Sequence, residues 1–250
     1  MVDYFTRYMN GDHEVTWNEL HGLTENFSSI SMYRDIENVA KETMHRVRRN
    51  VYTIASRLRT VGYNFAHPDY AYRLPQASVS DQVRQLENIV GSIPMSLKLW
   101  YELVGSVNLE GSHSSWPART YAGTRKPRAG ERFVFTAPLE VMSLDKVIDY
   151  CTDYFDEDEG IPLCGDTSFR AGFAGGGYIY LKRMKNNIDG RFGDTHSLNN
   201  YPLQIEHSSL FVTYLRRSFE WGGFPGFANV PEELRPTEML DYLREGLLPI

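Results

Sequence analysis

One stripe of apolar residues in the first quarter of the chain constrains the fold more than any other feature. Its members recur in steps of three and four, which places them on one face of an α-helix. They are Ile36, Val39, Ala40, Met44, Val47, Val51, Ile54, Leu58 and Val61. The pattern predicts a helix from Tyr33 to Thr60, with Ser31 as its N-cap and Gly62 as its stop signal. A helix of this kind has to pack its apolar face against a second layer of structure.

Composition limits the classes of protein to which this chain can belong. The chain has 250 residues and a formal net charge of −6, which argues against a general nucleic-acid binder because such proteins present a basic face. No apolar run suggests a membrane span, and the first residues lack the basic and apolar segments of a secretory signal. We predict a cytoplasmic protein in which Cys151 and Cys164 are free, buried thiols. A bridge between these two cysteines is the alternative.

The rest of the chain mixes helical and extended patterns. Helices are predicted over residues 80–90, 95–104, 144–155, 208–220 and 236–244. Their predicted N-caps include Ser143 and either Ser208 or Ser209. Extended segments are predicted at 107–111, 133–135, 139–142, 162–168 and 178–181, with a turn at 187–190. Helices and strands are interspersed without regular βαβ units, so the predicted class is α+β, with a mixed or antiparallel sheet flanked by helices.

The order of these segments resembles one known superfamily. A helix leads into Ile93-Pro94, a second helix ends at Gly105, strands and the passage 139–144 follow, and the unit closes with Phe211 and Tyr214-Leu215. Over residues 80–225 this order resembles the SUKH superfamily, which includes a yeast cell-wall-synthesis regulator and many bacterial toxin-immunity proteins. The resemblance implies a non-enzymatic module that binds another protein. We predict an N-terminal helical extension (1–79), a SUKH-like α+β domain (80–230) and a C-terminal helical tail (231–250).

An acidic run follows the helix predicted over 144–155. Its members in the predicted partner-binding set are Asp153, Asp156, Glu157, Asp158 and Glu159. The spacing does not fit a calcium loop, which alternates its oxygen ligands around a central glycine. Two interpretations stay open: a solvated acidic loop, or a docking surface for a basic partner, because complementary charge speeds and selects association. The resemblance agrees with the second interpretation, since many neutralised toxins are basic nucleases.

Aromatic residues and glycines are concentrated at 219–227. Trp221 and Phe224 complete the predicted partner-binding set, as exposed anchors of the kind that dominate interfaces. The alternative is that these rings cover the edge of the core. Core packing is the favoured interpretation, because exposed aromatics in this number would reduce solubility.

The chain carries no recognisable catalytic, cofactor-binding or metal-binding motif. The glycine run at 172–177 leads into a strand and not into the helix N-terminus of a phosphate loop. The histidines lack the clustered spacing of a zinc site, and no nucleophile elbow is present. An enzyme of unrecognised type is the alternative function. Its site would lie near the glycine-rich strands and the carboxylates of Asp166, Asp189 and Asp194.

Arginines flank the apolar stripe of the first long helix on both sides. They are Arg46, Arg48, Arg49, Arg57 and Arg59. Long arginine side chains commonly border a buried face, and we favour this interpretation over nucleic-acid contact because the chain is acidic overall. Self-association through the same helix is a further alternative.

Overall fold

The computed structural model describes residues 3–23, 30–116, 120–121, 134–165, 178–184, 186–192 and 210–250. Its helices, in chain order, are α1 (Tyr4–Met9), α2 (His13–Gly22), α3 (Ile30–Thr60), α4 (Val79–Val90), α5 (Met95–Leu99), α6 (Leu144–Tyr154), α7 (Phe211–Glu220) and α8 (Thr237–Arg244). A π-helical turn at Trp100–Val104 continues α5, and short 3-10 turns lie at Pro68–Tyr70, Pro225–Asn229 and Glu232–Leu234. Within these ranges, no helix is both long and apolar enough to cross a membrane.

The strands are short and pair mostly in antiparallel fashion. They are β1 (Asn64–Phe65), β2 (Tyr72–Arg73), β3 (Ser106–Asn108), β4 (Gly111–Ser112), β5 (Thr120–Tyr121), β6 (Val134–Phe135), β7 (Glu140–Val141), β8 (Ile161–Gly165), β9 (Tyr178–Arg183) and β10 (Gly190–Phe192). Two antiparallel sheets have the orders β2-β3-β7 and β8-β9-β10, and the Met142 N–H donates to the Leu163 carbonyl at 2.8 Å between them. Strand β1 pairs with β4, and β5 runs parallel to β6. The predicted α+β class is confirmed.

Helix α3 confirms the main prediction from the apolar pattern. Each member of the stripe from Ile36 to Leu58 is fully buried, and Val61 packs at the edge of the core. The helix packs against α1, α5, α8 and the π-helical turn. It begins at Ile30, so Ser31 lies inside its first turn and the prediction that Ser31 is the N-cap is wrong.

Hydrogen bonds fasten the two N-terminal helices to α3. The Asp35 carboxylate accepts from the backbone N–H groups of Tyr4 and Phe5, at 2.7 and 3.2 Å. Inside the core, Trp17 Nε1 donates to Thr43 Oγ1 at 3.0 Å. One hydrophobic cluster includes side chains from α1, α2 and α3 together with those of the later helices and strands. The core therefore continues across residue 79, and α3 forms one of its layers.

The start of α7 differs from its predicted form. The helix begins at Phe211 with Leu210 at the N-cap position, and the predicted caps Ser208 and Ser209 lie outside the described residues. Its capping acceptor comes from elsewhere in the chain, because the Asp189 carboxylate accepts from the Val212 N–H at 3.2 Å. At α6 the predicted N-cap position of Ser143 is confirmed, although the hydroxyl makes no capping hydrogen bond.

The segment 245–250 lies along α3 and is held through its main chain. The Asn50 side-chain amide exchanges two hydrogen bonds with the backbone of Leu248, both at 2.8 Å. Arg57 donates to the Glu245 carbonyl at 2.6 Å, and Arg46 donates to the Pro249 carbonyl at 3.1 Å. Two of the arginines that border the apolar stripe thus bind main-chain carbonyls, in agreement with the structural interpretation.

Candidate functional site

Carboxylates cover the outer face of α6 and the turn that follows it. We call this set the acidic surface; its members are Asp145, Asp149, Asp153, Asp156, Glu157, Asp158 and Glu159, and all are exposed. The helical members recur at every fourth position, so they form one row along the helix. The opposite face of α6 buries Leu144, Val147, Ile148 and Cys151. Amphipathic packing of α6 therefore fixes the direction in which its carboxylates point.

The turn after α6 is ordered by its own hydrogen bonds. The Asp156 carbonyl accepts from the N–H groups of Glu159 and Gly160, at 3.2 and 2.9 Å. The Asp156 carboxylate accepts from the Asp158 N–H at 2.8 Å. This Asx-type turn presents the carboxylates of Glu157, Asp158 and Glu159 to solvent from a defined backbone.

Few cations neutralise the acidic surface. Within the described ranges its ion pairing is limited to Glu157, whose carboxylate lies 3.4 Å from Arg183. Both side chains of that pair are exposed, so the pair contributes little to stability. The surface therefore keeps most of its negative charge available to a binding partner.

A tyrosine cluster borders the acidic surface. It consists of Tyr150 and Tyr154 from α6 with Tyr178 and Tyr180 from β9. The hydroxyls of Tyr150 and Tyr180 are hydrogen-bonded at 2.7 Å, and the Tyr150 ring lies 5.4 Å from that of Tyr154. Burial raises the pKa of Tyr180, and the neighbouring Tyr150 hydroxyl and Glu159 carboxylate raise it further. Tyr154 is 66% exposed, so an aromatic ring is presented next to the carboxylates.

The two aromatic residues of the predicted partner-binding set have different surroundings. Phe224 is fully buried, with its ring centroid 5.0 Å from that of Trp116 and 5.7 Å from that of Tyr63. Phe224 therefore belongs to the core, and its assignment as a partner contact is corrected. Trp221 is half-buried, and the Arg235 guanidinium lies 5.1 Å from its ring centroid.

Asp189 is the one carboxylate of the alternative enzymatic site that lies in the described residues; Asp166, Asp194 and the glycine run at 172–177 lie outside them. Its side chain is fully buried and accepts from Ser96 Oγ at 2.6 Å, from the Gly190 N–H at 2.9 Å and from the Val212 N–H at 3.2 Å. His21 Nε2 lies 3.1 Å from the same carboxylate.

This cluster contains a serine, a histidine and an aspartate in the wrong order for nucleophilic catalysis. In a triad the histidine stands between the serine and the aspartate and takes the serine proton. Here Asp189 stands in the centre and accepts from Ser96 directly, and His21 lies beside the carboxylate, so the serine–histidine–aspartate order of a triad is not formed. The cluster ties α2, α5, β10 and α7 together.

The cysteines and histidines form no chemical site in the described residues. Cys151 and Cys164 are both free and buried, as predicted. Burial raises the pKa of the Cys151 thiol to about 11, which keeps it protonated and unreactive near neutral pH. No group of His, Cys, Asp or Glu side chains that could hold a metal ion occurs in the part of the chain that the structure describes.

A groove that the sequence patterns did not indicate lies beside the N-terminus of α6. Its volume is about 400 Å³. The residues that line it are His67, Tyr70, Ser106, Val107, Asn108, Glu110, Glu140, Val141, Met142, Ser143 and Lys146. The alternation of polar Ser106, Asn108 and Glu110 with buried Val107 and Leu109 is the signal that points to it, because alternate residues share one face of a strand.

Two glutamates are among the residues that line this groove. The Glu110 side chain is 10% exposed, and its Oε2 lies 3.7 Å from His67 Nε2. Glu140 pairs across the sheet with Asn108, whose Nδ2 donates to its Oε1 at 3.4 Å. At the mouth, Lys146 Nζ lies 5.0 Å from the centroid of the Tyr70 ring.

The comparisons with known proteins add no relative. No protein-family model matches the chain, and no curated protein or solved structure matches it.

Proposed function

We propose that this chain is a non-enzymatic, protein-binding module that docks a basic protein through the acidic surface. The observation that carries the proposal is the row of exposed carboxylates on α6 and its following turn, with ion pairing in the described residues limited to Glu157 and Arg183. Such a surface attracts a basic partner from a distance and selects against acidic ones.

The tyrosine cluster supplies the short-range part of the proposed interface. Tyrosine is enriched at interface hot spots, because its ring buries a large area and its hydroxyl can hydrogen-bond. Tyr154 is the most exposed member of the cluster, and its ring can pack against an arginine of the partner. Of the original partner-binding set, Asp153, Asp156, Glu157, Asp158 and Glu159 stay in the proposal. Trp221 stays as a secondary contact.

The resemblance of residues 80–225 to the SUKH superfamily suggests a biological role for the proposed binding. It suggests an immunity protein that neutralises a basic toxin, or a regulatory module with a basic protein target. The two free cysteines suit a reducing, cytoplasmic setting for either role.

Charge reversal tests the proposal. The variant Asp156→Lys, Glu157→Lys, Asp158→Lys is expected to lose the protein that the wild type captures from an extract of its source cells. The variant should stay folded, although loss of the Asp156 acceptor in this exposed turn is expected to lower the free energy of unfolding by about 1 kcal/mol.

A second acidic stretch of the same chain provides the matched control. Glu232, Glu233 and Glu238 are exposed and lie outside the acidic surface. Changing these three to lysine alters the net charge by the same amount and should leave capture intact. Equal capture by the wild type and both variants would contradict the proposal, as would equal loss from both variants.

A further inference from the structure

The outward side of the second half of α3 carries positive charge without negative charge. Residues 43–59 contain no aspartate or glutamate. Their exposed side chains span about 100° of the helix circumference at 3.6 residues per turn, so they form one continuous face. We call this set the basic face; its members are His45, Arg48, Arg49, Tyr52, Ser56 and Arg59.

The three arginines of the basic face form no ion pair in the part of the chain that the structure describes. Burial raises the pKa of Tyr72, and the positive charge of the neighbouring Arg48 opposes that rise. The Arg59 guanidinium lies 5.5 Å from the centroid of the Phe65 ring. Both of these neighbours are uncharged and Arg49 is exposed, so the three positive charges are not neutralised by described residues.

We propose that two copies of this chain associate, with the basic face of one copy against the acidic surface of the other. The two surfaces have opposite charge, and each follows one helix. At 1.5 Å per residue, the basic face covers about 16 Å along α3 between its first and last arginines. The row of Asp145, Asp149 and Asp153 covers about 12 Å along α6, and the carboxylates of residues 156–159 continue it. Opposite charges in two rows of similar length favour side-by-side contact in a defined orientation.

An exposed tyrosine accompanies each charged surface. Tyr52 is 64% exposed and lies in the middle of the basic face, and Tyr154 is 66% exposed beside the acidic surface. In the proposed contact the Tyr154 ring packs against a guanidinium of the basic face, because arginine binds the face of an aromatic ring. Tyr52 adds a second ring, and the two rings supply buried apolar area that charge alone does not provide.

A second copy fits the basic face better than a nucleic acid does. Contact between copies neutralises a basic face and an acidic surface together. A nucleic acid would cover the basic face alone, and the acidic surface and the net charge of −6 would repel its phosphates. Three arginines also make a smaller basic field than general nucleic-acid binders present.

Sedimentation velocity of the full chain tests self-association directly. At about 20 mM salt, the weight-average sedimentation coefficient of the wild type should rise with protein concentration. The dissociation constant should increase roughly tenfold between about 20 mM and 300 mM salt, because added ions screen exposed charges. A wild type that stays monomeric at every concentration, or association that salt does not weaken, would overturn the proposal. So would a monomeric wild type that binds a mixed-sequence DNA duplex.

Complementary charge reversal identifies the two surfaces. The variant Arg48→Glu, Arg49→Glu and the variant Asp156→Lys, Glu157→Lys, Asp158→Lys should each self-associate roughly tenfold more weakly than the wild type, because each brings like charges together. Their equimolar mixture should associate with about the wild-type affinity, since the acidic surface of the first variant and the basic face of the second are both intact. Wild-type association of either variant alone, or a mixture no stronger than its components, would contradict the assignment of the two surfaces.

The control for charge reversal is the variant Glu232→Lys, Glu233→Lys, Glu238→Lys. These residues lie outside both surfaces, so this variant should self-associate as the wild type does. Equal weakening in the control and in the acidic-surface variant would show that net charge alone governs association, which would contradict the proposed contact.

Self-association does not rest on the proposed function, and capture of the basic partner distinguishes the failure of one from the failure of the other. A second copy and a basic partner would compete for the same acidic surface. The variant Arg48→Glu, Arg49→Glu keeps that surface and should capture at least as much partner as the wild type. Loss of capture by this variant would contradict the proposal, because it would assign the basic face to the partner. A monomeric wild type whose capture depends on Asp156, Glu157 and Asp158 would overturn self-association and leave the proposed function standing.

Discussion

Replacing Asp189 with alanine is expected to lower the free energy of unfolding by about 4 kcal/mol, within the range found when a buried polar or charged network loses one partner. The fully buried carboxylate accepts from Ser96 Oγ and from the Gly190 and Val212 N–H groups, and His21 lies beside it. Alanine would leave these donors buried without an acceptor. Chemical denaturation followed by circular dichroism measures the change.

The variant Ser96→Ala is the control for this prediction. It removes one donor while the Asp189 carboxylate keeps its other partners, so the expected loss is only about 1 kcal/mol. Equal losses for Ser96→Ala and Asp189→Ala, or a loss below about 1 kcal/mol for Asp189→Ala, would show that the carboxylate does not hold the four elements together.

Replacing Gly105 with alanine is expected to destabilise the protein by about 4 kcal/mol, at the upper end of single-substitution effects. Gly105 joins the π-helical turn to β3 with φ near +105°, a conformation that L-residues avoid. A Cβ at this position would lie 2.1 Å from the Arg73 carbonyl oxygen on the neighbouring strand β2. Because that atom belongs to the backbone, two strands of the sheet would have to separate.

The variant Gly62→Ala isolates the part of this effect that comes from the backbone angle. Gly62 also has a positive φ, +76°, but a Cβ there would meet no atom within 4 Å. The expected loss is therefore about 1 kcal/mol. Thermal and urea unfolding measure the loss of stability in each variant. Similar losses for Gly105→Ala and Gly62→Ala would mean that the close approach to Arg73 is unimportant, which would contradict the explanation.

Amphipathic helices could be predicted from the sequence because the spacing of their apolar residues is a local pattern. The apolar stripe of α3 and the inner face of α6 both follow helical periodicity, and both faces are buried as predicted. The same periodicity places the acidic residues of α6 on the solvent side. The exposure of Asp153 could therefore be predicted, and the charge run itself indicates that Asp156, Glu157, Asp158 and Glu159 are solvated, whereas their use by a partner stays a proposal.

Features made by residues far apart in the chain were not predictable. The groove brings His67 and Tyr70 together with Glu110 and Glu140, and the alternation at 106–110 alone does not show which distant segments complete it. A capping acceptor of α7 comes from Asp189, which is 22 residues before Phe211 and which no local pattern indicates. The burial of Phe224 is a second example. The aromatic residues at 219–227 do not show that Tyr63 and Trp116, which are distant in sequence, pack against its ring.

The groove lies at the N-terminus of α6, and the turn that carries Asp156 to Glu159 lies at its C-terminus. A helix of 11 residues spans about 16 Å, which is the length of a short extended peptide. Asp145, Asp149 and Asp153 form a continuous acidic row between the two ends. A basic partner that docks along α6 would therefore come close to the mouth of the groove.

The most direct test of the central claim is the rate of association with the captured partner, measured as a function of salt. Steering by the acidic surface predicts that the association rate constant falls roughly tenfold between about 20 mM and 300 mM salt, because added ions screen exposed charges. The variant Asp156→Lys, Glu157→Lys, Asp158→Lys should associate slowly at every salt concentration. An association rate that salt does not change, and that the variant shares, would contradict an electrostatic docking surface on α6.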